Sequence, residues 1–166
     1  MGDAITLFLG GVLGFLASLL ANVVTGPVLS LASRYRLVLA LSRIPLTSDK
    51  RLRGNWRIAW SVRSRGYPPV NEGVTKISSF LGAIGFSATS SGYGTQRVYL
   101  YVGYATGSII SGRWYDPDGT EAYHGLFQIR LNGALQSAHG KWIGWAADGT
   151  VKAGNLTLER QPCLHG

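Results

Sequence analysis

The sequence predicts an N-terminal transmembrane α-helix followed by an all-β domain, an eight-stranded antiparallel up-and-down barrel. Two observations support this: residues 4–33 carry no charged side chain, and from Gly54 onward apolar residues recur with a period of two between closely spaced turns. The 166 residues suffice for one anchor and one compact domain. The predicted parts are a transmembrane and a juxtamembrane helix (1–46), a linker (47–53), the barrel (54–161) and a tail (162–166).

The apolar run is long enough to cross a bilayer. As a helix rising about 1.5 Å per residue, residues 5–24 cover a hydrocarbon core of about 30 Å. A buried core helix would need a larger domain around it, and a cleaved signal peptide would begin with basic residues, whereas Asp3 is the only charged side chain before the run. We therefore expect a single-pass protein with the lipid bilayer as a partner.

Small side chains share one face of the predicted span. Gly10, Gly14, Ser18 and Asn22 recur at every fourth residue, which places them on the same side of a helix. Small residues let a second helix approach closely, and an amide in lipid needs a hydrogen-bond partner. This face predicts a homo-oligomer in the membrane; the alternative is that the glycines only reflect their frequency in spans.

Basic residues are concentrated directly after the span. Residues 34–65 contain nine Lys or Arg against Asp49 alone, and residues 66–166 contain seven against six acids. Basic residues beside a span remain on the cytoplasmic side and attract anionic headgroups. The net charge of +8 therefore predicts a cytoplasmic barrel at a membrane, and not a protein that binds duplex DNA or RNA.

Residues 28–43 predict a second, shorter helix between Gly26-Pro27 and Pro45. With Arg34 and Arg36 near its centre, this segment should not cross the membrane alone. We expect it to lie along the cytoplasmic interface or to pack in a bundle with its copies.

Short loops join the predicted strands, so neighbouring strands should be antiparallel. Eight such strands can close a barrel whose interior holds side chains or one small ligand. The predicted strands are 55–63, 74–80, 84–89, 96–105, 108–115, 121–131, 134–145 and 151–160.

A partial repeat sets the register of the later strands. Gly112-Arg113-Trp114 and Gly140-Lys141-Trp142 each lead to an Asp-Gly turn and a further strand. Because side chains alternate along a strand, one face of the first hairpin is apolar and should point inward, and the other is polar and should face water. The inward set is Trp114, Tyr123, Phe127, Ile129 and Leu131, joined through the repeat by Trp142, Leu156, Leu158 and Arg160; the outward set is Arg113, His124, Gln128 and Arg130.

Gly54-Asn55-Trp56 on the first strand and Arg160 near the end of the last resemble the calycin or lipocalin pattern. In that pattern the arginine packs across the tryptophan and closes one end of the barrel. The resemblance implies the same role for Trp56 and Arg160, with the guanidinium over the indole.

The whole architecture resembles the transmembrane β-barrel effectors of bacterial CBASS anti-phage systems, the SMODS-associated β-strand-rich family. In residues the likeness rests on Tyr123-His124-Gly125 through Gly140-Lys141-Trp142, and on Gly154. It implies antiviral defence: a barrel that senses a cyclic oligonucleotide, and helices that assemble and breach the cell inner membrane. The family usually has two transmembrane helices, whereas the second helix here is short and carries arginines.

The sequence contains no catalytic or metal-binding pattern. Asp116 and Asp118 fall in a turn, where aspartate is common, and His124, His139 and His165 lack metal-ligand spacing. We therefore expect a binding protein, not an enzyme, without cofactor or metal.

Ligand chemistry separates two functions. A cyclic nucleotide needs aromatic faces for its bases and arginine or lysine for its phosphates. The alternative is a membrane-tethered, lipocalin-like binder or scaffold for an apolar ligand or a partner protein, and the aromatics are also what fills the core of a small barrel. The candidate ligand-binding residues are Trp60, Arg97, Tyr99, Tyr101, Trp114, Tyr123 and Arg160.

Overall fold

Nine antiparallel strands form a nearly closed barrel in the part of the chain that the structure describes. The computed structural model describes residues 11, 14, 15, 18, 31–43, 49–52, 54–63, 68–92, 95–118, 123–146 and 149–162. Helix α1 covers Leu31–Leu41, and a 3-10 helix covers Lys50–Leu52. The strands are β1 (Asn55–Ser61), β2 (Val70–Lys76), β3 (Ser78–Phe80), β4 (Ala83–Gly92), β5 (Thr95–Thr106), β6 (Ile109–Tyr115), β7 (His124–Leu131), β8 (Ser137–Trp145) and β9 (Val151–Arg160).

The strands follow one another up and down around the barrel, as predicted. Their order is β2-β1-β9-β8-β7-β6-β5-β4-β3, so each strand from β3 to β8 pairs with the next in sequence, and β9 returns to β1. The all-β antiparallel barrel is therefore confirmed.

The predicted number of eight strands was wrong because one predicted strand is two. Residues 74–80 fall partly in β2, which pairs with β1, and partly in β3, which pairs with β4. The inward alternation runs through the break without interruption, since Thr75, Ile77 and Ser79 are all buried. The alternation of buried residues therefore does not indicate that the pairing strand changes from β1 to β4 between β2 and β3.

Side chains close the barrel between β2 and β4. The two strands lie beside each other, but no ladder joins their described residues. The Ser90 hydroxyl donates a hydrogen bond of 2.7 Å to the side-chain carbonyl of Asn71, and both residues are buried. We call this contact the seam.

The interior is packed with buried side chains. Phe86 stacks on Tyr101 with ring centroids 4.6 Å apart, and Phe127 meets both rings edge to face. The predicted faces of β6 to β9 are confirmed: the inward set is buried except for the partly exposed Tyr123 and Arg160, and the outward set is exposed.

Helix α1 packs on the outer wall of the barrel, over β3, β4 and β5. Val38 is fully buried and clusters with Ala83, and Tyr35 covers Gly85, where a Cβ would lie 3.2 Å from the tyrosine ring. One face of α1 packs on its own barrel, a contact that the sequence did not predict; the expected placement at the membrane interface or in a bundle with its copies stays a prediction. Gly85 leaves space for a helix there, a feature that strand periodicity does not reveal.

The predicted transmembrane segment falls largely outside the described residues. Gly14 and Ser18 are helical and exposed, whereas Gly10 and Asn22 lie outside. The oligomerisation face therefore stays a prediction. Among the helices the structure describes, none has the length and apolar character to span a membrane.

Tyr115 presents a buried hydroxyl on the outer wall. The residue is 9 % exposed, and its hydroxyl has no hydrogen-bond partner among the described residues. Burial raises the pKa of Tyr115 to about 12, against the opposing effect of the Arg36 charge on α1. In the unfolded chain the phenol ionises near pH 10. The neutral phenol of Tyr115 therefore contributes fully to the free energy of unfolding below about pH 10, and this contribution is lost as the pH rises toward about 12.

We expect Tyr115→Phe to be as stable as the parent at neutral pH, or more stable by roughly 1 kcal/mol, because a buried hydroxyl without a partner is unfavourable. The variant should also lose less stability than the parent between about pH 10 and 12. Urea unfolding of the full chain in mild detergent measures both effects. A clear loss of stability at neutral pH would mean that the hydroxyl has a partner.

Candidate ligand site at the barrel mouth

The two ends of the barrel differ in chemistry. One end, here called the closed end, contains the start of β1 and the end of β9; the other, here called the mouth, contains the end of β1 and the start of β9. The candidate ligand residues divide between these ends.

Trp56 and Arg160 meet at the closed end, as predicted. They are paired across β1 and β9, and the guanidinium carbon of Arg160 lies 4.6 Å from the centroid of the Trp56 ring. Arg160 Nε donates to the Leu135 carbonyl at 3.2 Å, and Nη2 donates to the Arg51 carbonyl. These bonds hold Arg160 at the opposite end of the barrel from Trp60, Arg97 and Tyr123, so a ligand at the mouth would not reach it, and a ligand contact by Arg160 stays a prediction.

The predicted linker contributes to the same closure. Leu52, the last residue of the 3-10 helix, is buried in the barrel core, and its carbonyl accepts a hydrogen bond of 3.0 Å from Trp56 Nε1. The Asp49 amide donates to the Ser79 hydroxyl at 2.8 Å. The 3-10 helix therefore covers the closed end.

The partial repeat produces one packing arrangement twice, near the mouth. Trp114 on β6 lies across Gly125 on β7 and donates from Nε1 to the Ile143 carbonyl on β8 at 3.2 Å. Trp142 on β8 lies across Gly154 on β9 and donates to the Ser61 carbonyl on β1 at 3.1 Å. A Cβ at either glycine would lie 2.6 Å from the indole nitrogen, so each tryptophan needs a glycine on the next strand.

Four aromatic rings form a layer inside the mouth. Each meets the next edge to face: the centroids of Trp60 and Tyr99 are 6.4 Å apart, those of Tyr99 and Trp114 5.8 Å, and those of Trp114 and Trp142 5.6 Å. All four residues are buried. The structure thus brings together the candidates Trp60, Tyr99 and Trp114, whereas Tyr101 lies deeper, stacked on Phe86.

Polar side chains lie beyond this aromatic layer, toward the rim. Arg97 Nη1 forms an ion pair with Asp116 Oδ2 at 3.2 Å, and the Arg97 guanidinium carbon lies 5.1 Å from the centroid of the Tyr123 ring. The Asp116 side chain is 3 % exposed and that of Arg97 is 38 % exposed. The buried carboxylate therefore orients the guanidinium, while the Arg97 side chain stays partly exposed at the rim.

Sequence reasoning missed Lys152. Gly154, Leu156, Leu158 and Arg160 occupy the inward positions of β9, and Lys152 continues that row at the mouth. It is half-buried, whereas its neighbours Val151 and Ala153 are exposed. Continuing the inward row by one more position toward the mouth would have identified it.

Arg97 and Lys152 lie on opposite sides of the mouth. Arg97 is on β5 and Lys152 is on β9, and the ladder from β5 to β9 passes through three strands, about half of the circuit. This arrangement can bind an anion from two sides above an aromatic floor. Within the described ranges, no group of three or more His, Cys, Asp or Glu side chains lies together where it could hold a metal ion.

The chain matches no protein-family model, and no curated protein matches it. Its function must therefore be inferred from its own residues and their geometry.

Proposed function

We propose that this protein is a membrane-anchored anti-phage effector whose cytoplasmic barrel binds a cyclic oligonucleotide at its mouth. In this proposal the N-terminal helices assemble and disrupt the inner membrane when the ligand is bound. The observation that carries it is the Arg97 guanidinium, which the buried carboxylate of Asp116 holds over Tyr123 at the rim of the mouth.

The chemistry of the mouth suits such a ligand. A guanidinium held in a defined orientation makes charge-assisted, two-pronged hydrogen bonds to phosphate oxygens. A second cation, Lys152, lies on the other side of the mouth, and a cyclic oligonucleotide carries more than one phosphate in a ring. Tyr123 offers an aromatic face for a base, since stacking on aromatic side chains contributes about 1–3 kcal/mol per base.

A lipocalin-like function, binding an apolar ligand inside the barrel, is less well supported. Such a ligand needs an apolar space in the interior. Phe86, Tyr101 and Phe127 pack against one another in the interior of the described barrel. The buried aromatic candidates therefore pack mainly in the core of the barrel; they are Trp60, Tyr99, Tyr101 and Trp114.

Titration of the full chain in detergent with a panel of cyclic di- and trinucleotides tests the proposal. Arg97→Ala and Lys152→Ala should each weaken binding by about 10- to 100-fold, because a hydrogen bond to a charged group contributes about 1.5–3 kcal/mol. Arg130→Ala, which removes an exposed cation from the outer wall, is the matched control and should bind like the parent.

Two further measurements make the result decisive. Arg97→Ala leaves the Asp116 charge buried, so the double variant Arg97→Ala/Asp116→Asn should recover stability while binding stays weak. If a folded parent chain binds no cyclic nucleotide at micromolar concentration but binds a fatty acid, the nucleotide proposal fails and the lipocalin-like function replaces it.

A further inference from the structure

An apolar strip is exposed on the outer wall of β7, β8 and β9. Leu126 is 55 % exposed, Ile143 46 %, Trp145 50 % and Val151 52 %. Leu126 pairs with Ile143, and Trp145 pairs with Val151, so the four side chains occupy two adjacent outward rows next to the mouth. We call these four residues the outer strip. A contiguous exposed apolar patch of this kind marks an interaction surface.

Arg113, Lys141 and the imidazole of His124 border the outer strip. Arg113 is the cross-strand partner of Leu126, His124 is the partner of Trp145, and Lys141 lies one outward row from Ile143; all three are exposed. Strands β6 to β9 contain a single acidic residue, Glu159, which lies at the closed end. Asp118 lies in the loop after β6, outside the rows of the strip.

An apolar strip with basic neighbours favours an anionic bilayer over a second copy of the chain as the binding partner. A second copy docked on the same wall would bring Arg113 and Lys141 toward their own equivalents, and like charges facing each other are unfavourable. An anionic bilayer attracts each exposed Lys or Arg by about 1 kcal/mol near its surface. A tryptophan with aliphatic neighbours is also the side-chain composition that settles at the boundary between headgroups and acyl chains.

The direction of α1 is consistent with a bilayer near the mouth. Tyr35 lies over Gly85 and Val38 over Ala83, and Gly85 is the closer of these two to the mouth end of β4. Helix α1 therefore runs from the mouth side toward the closed end, and the apolar run of the sequence precedes it. The start of α1 and the outer strip therefore both lie toward the mouth end of the barrel, on different walls.

We infer that the outer strip rests on an anionic lipid surface, with Trp145 at the headgroup boundary and Arg113 and Lys141 beside the headgroups. This inference rests on the proposed membrane attachment. It assigns a second contact with the bilayer, made by the barrel wall itself and independent of the ligand at the mouth.

Tryptophan fluorescence can test this contact in the intact protein. Trp56, Trp60, Trp114 and Trp142 are buried, so Trp145 is the only exposed tryptophan of the five in the chain. The full chain is reconstituted into vesicles of phosphatidylcholine, with or without phosphatidylglycerol, whose acyl chains carry bromine as a quencher. The emission of Trp145 is obtained by subtracting that of Trp145→Phe.

In anionic vesicles we expect bromine to quench about half of the Trp145 emission, since an interfacial side chain reaches about 5–10 Å into the boundary. Lys141→Glu should abolish most of this quenching. Lys76→Glu makes the same charge change at an exposed position on β2 and should leave the quenching unchanged. Vesicles without phosphatidylglycerol should give little quenching.

Three results would overturn the inference. Equal quenching in neutral and anionic vesicles would exclude recognition of anionic lipid. Absence of quenching in a chain that floats with the vesicles would show that the wall does not touch the bilayer, while the proposed anchor would stand. A chain that does not float with vesicles at all would refute the anchor and the lipid contact together.

Discussion

Replacing Gly125 by alanine is expected to lower the free energy of unfolding by roughly 3 kcal/mol, the upper part of the range for overpacking a tight core. A Cβ at this position would lie 2.6 Å from Trp114 Nε1 and would also meet the Ile143 carbonyl that accepts the indole hydrogen bond. The indole must therefore leave its position, and its hydrogen bond is lost with it. Urea unfolding of the full chain in mild detergent, followed by near-UV circular dichroism, measures the change.

Gly133→Ala is the matched control for this prediction. Nothing lies within 4 Å of a Cβ at Gly133, so the same substitution there should change the free energy of unfolding by less than about 0.5 kcal/mol. Equal stability of Gly125→Ala and Gly133→Ala would show that Trp114 does not lie across Gly125.

Removing the guanidinium of Arg160 should have the second largest effect, a loss of roughly 2–3 kcal/mol. A partly exposed cation over an indole contributes about 1–2 kcal/mol. The guanidinium also donates to the carbonyls of Leu135 and Arg51, which Arg160→Ala leaves without this donor. Thermal unfolding of the full chain in detergent should therefore show a clearly lower midpoint for Arg160→Ala.

Arg160→Lys separates the planar group from the charge. Lysine keeps the cation but lacks the planar fork of donors, so this variant should recover only part of the lost stability. Arg130→Ala removes an exposed arginine from β7 and should unfold like the parent. Full recovery in Arg160→Lys would mean that charge alone, without stacking and directed hydrogen bonds, accounts for the effect.

The parts of the barrel that follow from local pattern could be predicted from the sequence. The Asp-Gly turns and the alternation around Trp114 were enough to assign the faces of β6 to β9. The pairing of Trp56 with Arg160 required one long-range assumption, that the first and last strands are neighbours, and the calycin-like pattern supplied it.

Other features depend on contacts that no local pattern encodes. The division between β2 and β3 leaves the alternation intact, and the packing of α1 depends on the space above Gly85, which only the folded barrel creates. Of the aromatic candidates, the register assigned Trp114 and Tyr123 to the inward face, yet an aromatic residue type does not distinguish core from ligand contact. Arg97 could be selected from sequence, but its fixed orientation comes from Asp116, a residue interpreted only as part of a turn.

At the seam, the barrel can open without breaking backbone hydrogen bonds between paired strands. Among the described residues, every other neighbouring pair of strands is held by a row of backbone hydrogen bonds, whereas β2 and β4 are joined at the seam by the Ser90–Asn71 bond and by packing. Local opening costs the least free energy where the fewest backbone hydrogen bonds must break. We therefore expect the barrel to open first between β2 and β4. Ser90 is the cross-strand partner of Arg97. If the seam widens, the side of the mouth that carries Arg97 therefore moves relative to Lys152. The distance between these two cations then depends directly on the diameter of the barrel.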